Sequence, residues 1–250
     1  MAKPVATILG RARSVRQIGD GLRRLGFDLA EAPKLEPTPE DVLVLWNRLS
    51  THDPFARRYE AVGAKVVIAE HGWVGGNTFA LCLGQHNGAG TWWVGEESRW
   101  PNFGIAVKPW RTEGEHILVV PQRGIGIPPV AMPRIWTSDV LRRLTVATNR
   151  RIVVRYPQDR IHPIEPEFRG CHAVVTWASG GGIKAIVEGC PVFYEMPHWI
   201  GAYAARPGIE HIEQPYLGER DTLFHRLSWA MWKPEEIETG EPFQCLFRCL

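Results

Sequence analysis

The stretch from Ala173 to Tyr194, AVVTWASGGGIKAIVEGCPVFY, constrains the fold more than any other part of the chain. Ala173 to Trp177 reads as a short buried strand. Ser179 is a natural helix N-cap, because its hydroxyl can accept from an exposed N–H of the first turn. Gly180, Gly181 and Gly182 allow a tight turn and a close approach of other atoms to the backbone. Ile183 to Glu188 predicts a helix, Gly189 suits its C-terminal stop, and Pro191 to Tyr194 predicts the next strand. Strand, turn, helix, strand is the crossover that parallel strands require. The helix start would offer N–H groups and partial positive charge to a phosphate. The same residues would equally serve a plain βα turn.

The rest of the chain repeats this rhythm. Strands are predicted at Val5 to Leu9, Asp41 to Trp46, Lys65 to Ala69 and Phe79 to Leu83, with helices over Ser14 to Leu25 and Pro54 to Val62. Residues Asn102 to Glu115, rich in Pro, Gly and charge, read as a linker. The pattern restarts with a strand at His116 to Val120, a helix at Ser138 to Thr148 and a strand at Arg151 to Arg155. A helix over Arg220 to Trp232 follows, and Pro234 to Thr239 starts one more. Alternation of this kind is the mark of parallel sheets covered by helices. It predicts an α/β chain with two halves facing a central cleft: a first domain over 1–108, a second over 109–232 and a tail over 233–250. Ligands in open parallel sheets lie outside the carboxyl ends of the strands. The segments Gly10 to Arg13, Asn47 to Arg48, Glu70 to Gly76, Gln122 to Gly126, Tyr156 to Arg160 and Ser179 to Gly182 fall at those ends.

Composition narrows the class. The 250 residues are 44% hydrophobic and 22% charged, which suits a soluble globular protein. No apolar run is long enough to span a bilayer, and the first residues lack the apolar core of a secretory signal. A cytoplasmic location is therefore expected. The five cysteines, Cys82, Cys171, Cys190, Cys245 and Cys249, form no disulfide framework and read as reduced thiols. Cys245 and Cys249 lack the further ligands of a metal site. A formal charge of +2 is not that of a strong nucleic-acid binder. Arginine nevertheless far outnumbers lysine, and its planar fork suits phosphate. Trp92, Trp93, Trp100 and Trp110 fall in the irregular middle, where core packing is the default and stacking on sugars or bases is the alternative.

These residues resemble a known family. Ser179, Gly182, Gly189, Pro191 and Val192, followed by Met196, Pro197, His198 and Trp199, are similar to the donor half of the capsular-polysaccharide, Kdo-transferase-like glycosyltransferases. RIVVRYPQD (Arg151 to Asp159) resembles that family's strand ending in a basic residue, with Arg155 in the basic position and without the family's following His. Glu70, His71, Gly72 and Trp73, then Phe79 to Leu83 and Gly88, resemble its Glu-x-Gly-aromatic loop. The resemblance implies a GT-B fold of two Rossmann-like domains and sugar transfer from a nucleotide-sugar donor.

Negative charge grows on the departing diphosphate and must be stabilised. Ser179, Gly180, Gly181 and Gly182, with Arg155 and Arg160, are the residues expected to do so. Arg123 reads either as a further phosphate ligand or as a turn residue, and Glu188 either as a ribose ligand or as an exposed helix-end carboxylate. No Asp-x-Asp occurs, so neither metal nor cofactor is expected. Glu70 and His71 are the candidate general bases, or else a surface pair; His52 and Asp53 are weaker candidates. Arg11, Arg13, Asn47 and Trp73 are the expected acceptor-binding residues. Three functions remain open. One is glycosyl transfer to hydroxymethylated pyrimidines in DNA, as in some bacteriophage enzymes of GT-B architecture. Another is transfer to a capsule or lipopolysaccharide glycan, and the third is non-enzymatic binding of a nucleotide or sugar.

Overall fold

The computed structural model describes residues 3–10, 12–86, 88–159 and 162–249, the side chains of 12–14 aside. It divides into two compact units, Met1–Arg99 with Arg226–Leu250, and Trp100–His225. Arg11 and Arg160 lie outside the described residues, as does the side chain of Arg13.

The first unit opens with β1 (Val5–Leu9), α1 (Ala12–Arg24), β2 (Asp28–Ala30), β3 (Val42–Trp46), α2 (Asp53–Ala61), β4 (Lys65–His71) and β5 (Phe79–Leu83). The second contains β6 (His116–Val120), α3 (Trp136–Ala147), β7 (Arg151–Val154), β8 (Cys171–Thr176), α4 (Gly180–Val187), β9 (Val192–Tyr194) and β10 (Arg206–Pro207). The division falls inside α5 (Asp221–Ala230). The chain then completes the first unit with β11 (Met231–Trp232), α6 (Pro234–Thr239) and α7 (Glu241–Phe247).

The sheet of the first unit runs β11-β5-β4-β3-β1-β2. Its strands β2, β1, β3 and β4 are parallel. The central strand β3, VLVLW, is buried along its whole length, as a strand covered on both faces must be. Beyond β4 the pattern departs from the expected parallel rhythm. Residues 72–78 form a tight connection in which the Gly72 N–H donates to the Thr78 carbonyl (2.8 Å). β5 therefore returns antiparallel to β4, and β11 pairs antiparallel with β5.

The expected tail at 233–250 is part of this unit. α6 and α7 pack on α1. At Gly21 a Cβ would strike the Ile237 carbonyl, and at Gly240, with φ 86°, a Cβ would stand 2.8 Å from the Gly21 carbonyl. Two glycines thus let α1 and the α6–α7 link touch.

The sheet of the second unit runs β10-β9-β8-β6-β7 and is parallel throughout. Ile117, Val119, Ala173, Val175 and Phe193 point to a core closed by Trp136, Val140 and Leu144 of α3. The expected linker at 102–115 is bound to this unit. The Lys108 N–H donates to the Val187 carbonyl (2.8 Å) and the Arg111 N–H to the Gly189 carbonyl (2.7 Å). The boundary accordingly falls at 99/100 and not at 108/109.

Strand order reverses once in each sheet, between β1 and β3 and between β6 and β8. Such switch points open a crevice at the carboxyl ends, because the two flanking connections leave in opposite directions.

Candidate active site

The β6/β8 switch point is assembled by local hydrogen bonds. Thr176, the last residue of β8, donates through Oγ1 to the Val120 carbonyl at the end of β6 (2.8 Å) and accepts from the Ser179 N–H (2.9 Å). Ser179 is the N-cap of α4, and its Oγ accepts from the Gly181 N–H (3.2 Å). The Gly182 N–H donates to the Ser179 carbonyl (2.8 Å). The first turn of α4 contains no acidic residue, so nothing on the helix itself offsets the positive end of its dipole.

Gln122, two residues past β6, donates from Nε2 to the Ala178 carbonyl (3.0 Å). Its Oε1 is buried and takes no hydrogen bond among the described residues. Buried acceptors nearly always have a partner, so this oxygen suits a hydroxyl brought by a ligand. Trp177 ties the flanking loops together. Its Nε1 donates to the Val130 carbonyl (3.0 Å) and its carbonyl accepts from the Met196 N–H (3.0 Å).

The structure gives two of the glycines a different neighbour from the expected one. A Cβ at Gly181 would stand 3.1 Å from Ile164 Cδ1 and 3.2 Å from Val120 Cγ1. At Gly182 it would stand 2.9 Å from Trp199 Cη2. The close approach that they permit is made by the protein's own side chains. Gly180, half-buried at the first helical position, stands at the mouth of the turn.

Arg155 is 7% exposed, and its guanidinium is directed into its own loop. Nη1 pairs with Glu167 and donates to the Pro163 carbonyl (3.3 Å). Nη2 donates to the carbonyls of His162 and Asp159 (the latter at 3.4 Å). Nearby, Glu165 pairs with Lys184 of α4 (3.0 Å). Burial raises the Glu165 carboxyl, but the Lys184 bond and backbone N–H donors outweigh it and hold the group below the usual carboxylate range. Arg123 is exposed in the loop after β6. Glu188 caps the opposite end of α4, about 12 Å along a helix of this length, and pairs with Lys108. That position is the helix-end one of its two readings: a helix returning between parallel strands carries its C-terminus to the edge of the sheet opposite the switch point.

The first unit presents different chemistry at its own carboxyl edge. Asn47 follows β3 with φ 60°, a conformation uncommon outside glycine. Its N–H donates to the Ala69 carbonyl (2.9 Å). β4 runs two residues further than expected and includes Glu70 and His71. Successive side chains on a strand point to opposite faces. The two therefore do not form an adjacent pair in a loop: their side chains leave opposite faces of β4. His71 is exposed and meets the edge of Trp46 (4.9 Å between centroids), while Glu70 is buried on the face that carries Cys82. Trp73 is buried. Asp53 is the first residue of α2, with His52 at the cap position and no side-chain cap bond. Asp53 is bound by Arg48 (2.8 Å) and Arg57 (2.6 Å). It has a structural partnership in place of a catalytic one.

The tryptophans of the middle region are engaged internally. Trp92 Nε1 donates to the Arg226 carbonyl (3.0 Å), and Trp93 meets Trp229 edge to face (4.7 Å). Trp100 stacks on Phe224 (4.4 Å), and Arg220 lies over Trp110 (4.2 Å). Among the described residues, no three His, Cys, Asp or Glu side chains gather in a way that could hold a metal, and no helix is long and apolar enough to cross a membrane.

The elements above define a class of architecture: two α/β units, each with a reversed strand order, one bearing an acid-free, N-capped helix start at its switch point. No protein-family model matches the chain, and no curated protein does either. Solved structures do. One, described as Thermosulfurimonas dismutans KpsC, beta Kdo 2,7 transferase, is 13% identical, with a TM-score of 0.56 over 96% of this chain and 99% of that one. Another, described as Thermosulfurimonas dismutans KpsC, beta Kdo 2,4 transferase, is also 13% identical, with a TM-score of 0.59 over 92% of each chain. At that identity the likeness concerns the fold, which is GT-B-like.

Proposed function

We propose that the protein is a glycosyltransferase that takes a nucleotide-sugar donor at the β6/β8 switch point. The observation that carries this reading is the start of α4: a capped helix N-terminus without carboxylates, at the carboxyl ends of parallel strands where their order reverses. Dipole and free N–H there would stabilise the charge that develops on a departing diphosphate. Exposed Arg123 would add a cation, and Gln122 Oε1 would accept from a donor hydroxyl. No metal or cofactor is required in this scheme. The acceptor is bound by the first unit, at the carboxyl edge that bears Asn47 and His71, with His71 or Glu70 as general base. A glycan acceptor is favoured over DNA, because Trp92 is buried and the other tryptophans that would stack on bases already have ring or cation partners within the chain.

The test is turnover with a panel of nucleotide sugars and glycan acceptors, with and without chelator. Sugar transfer that survives chelation is the expected result. Binding of a donor without turnover on any acceptor would leave a nucleotide-sugar-binding protein; transfer to hydroxymethylated DNA would overturn the glycan assignment.

A further inference from the structure

The residue that a sequence reading assigns most readily to phosphate has its hydrogen bonds directed elsewhere. Arg155 stands just past β7, and its two terminal nitrogens collect the Glu167 carboxylate and the carbonyls of His162 and Pro163. These three acceptors lie on one short segment, residues 162–168, which ends on fully buried Phe168, while a longer bond (3.4 Å) reaches the Asp159 carbonyl before it. That segment reaches α4 at two points. Ile164 Cδ1 lies 3.1 Å from where a Gly181 Cβ would stand, against the first turn of the helix. Glu165 pairs with Lys184 one turn further on (3.0 Å).

We propose that Arg155 is a positioning residue, which sets the donor site by holding residues 162–168 against the first turn of α4 and not by touching the ligand. The proposal rests on the donor-site reading given above. A guanidinium is suited to this task, since its planar fork serves several acceptors at once, which a single ammonium does not. Ile164, seated beside Val120 over the open side of Gly181, would form the floor on which a diphosphate rests. Loss of the clamp frees that floor without removing any ligand contact.

Glu167 separates the two roles by sign. If Arg155 binds phosphate directly, Glu167→Gln releases it from a competing carboxylate and removes a negative charge, so inorganic pyrophosphate binds more tightly. If Arg155 is a clamp, Glu167→Gln removes its charged partner and pyrophosphate binds more weakly. Calorimetric titration of the full chain with pyrophosphate should give weakening of roughly tenfold, within the range of effects of residues that touch no ligand. Arg155→Lys should weaken binding as much as Arg155→Ala, and Ile164→Ala should act in the same direction. Tighter binding by Glu167→Gln, or full affinity in Arg155→Lys, would overturn the proposal.

Hydrogen exchange supplies a readout independent of ligand. The Glu167 N–H donates to the Ile164 carbonyl (2.9 Å) and the Arg169 N–H to the Pro166 carbonyl (3.2 Å). Both amides should exchange faster in Arg155→Ala while the amides of β8 stay protected. Unchanged protection at 167 and 169 would also overturn the clamp. Should the wild-type chain bind no pyrophosphate, the donor-site reading fails, and the exchange result alone then supports or refutes the clamp.

Discussion

α2 and α4 occupy equivalent places in their sheets, and their first turns are furnished in opposite ways. Each follows the strand that lies across the switch point from the first strand of its unit. α2 begins with Asp53, a carboxylate at the positive end of its own dipole, bound by Arg48 and Arg57. α4 begins with three glycines, has no acidic residue in its first turn, and is capped by a neutral hydroxyl. One helix start is neutralised from within, and the other retains its positive potential. The anion site proposed at α4 would therefore follow from which side chains the fold leaves out of a first turn as much as from those it supplies.

The largest expected effect lies on the neutralised side. Arg48 is bound by Asp53, Glu60 and the Gly84 carbonyl with almost no exposure. Arg48→Met leaves these acceptors without their shared donor and should cost about 3 kcal/mol of stability, read by urea unfolding. A loss near zero would mean that the ion network is not what closes α2.

Next in size is the acid sensitivity of the first unit. Burial raises the Asp41 carboxyl, but Lys34 and the N–H groups of Thr38 and Val5 outweigh it, so the group lies below its ordinary value when folded. Asp53 is lowered likewise: burial raises it, and bonds from Arg48 and Arg57 more than compensate. A carboxyl whose folded pKa is depressed stabilises the protein above its unfolded pKa, about 3.9. That contribution disappears as pH falls through the folded value. Thermal melts from pH 6 downward should fall steeply below about pH 4. In Asp41→Asn the acid limb should be flatter; an unchanged slope would remove Asp41 from the account.

A smaller change is expected at the open helix. Ser179→Ala removes the cap and should cost about 1 kcal/mol by the same unfolding assay. Stability equal to that of the wild type would show that the Oγ to Gly181 bond contributes nothing.

Much of this frame was legible in the sequence. The apolar runs at Val5 to Leu9, Phe79 to Leu83 and His116 to Val120 became strands with those bounds, and Ser179 caps its helix as its hydroxyl suggests. Local signals sufficed because each depends on neighbours in the chain. What escaped depends on distant partners. The apolar run of β5 carries no mark of its antiparallel direction, which the 72–78 connection sets. Helical periodicity continues through Trp232, yet edge pairing with Phe79 and Ala80 draws Met231 and Trp232 into a strand. α7 starts only because Gly240 turns with φ 86° against α1. In the site, an arginine at a strand end does not reveal that Glu167 and three carbonyls will claim it. Gln122 lay inside a segment noted for its position, two residues past a strand end, and that position was the available signal.

The central claim is that the start of α4 binds the donor because it lacks a carboxylate. Gly180→Asp gives α4 the first residue that α2 has. Gly180 is not among the glycines with positive φ, so the change suits the backbone, and an acidic first turn should alter stability by no more than about 1 kcal/mol, in the stabilising direction. Titration of wild type and Gly180→Asp with a nucleoside diphosphate, followed by the rise in melting temperature that a bound ligand produces, tests the claim directly. The account expects a clear rise for the wild type and none for the variant, with unliganded stability preserved. An equal rise in both proteins would contradict it.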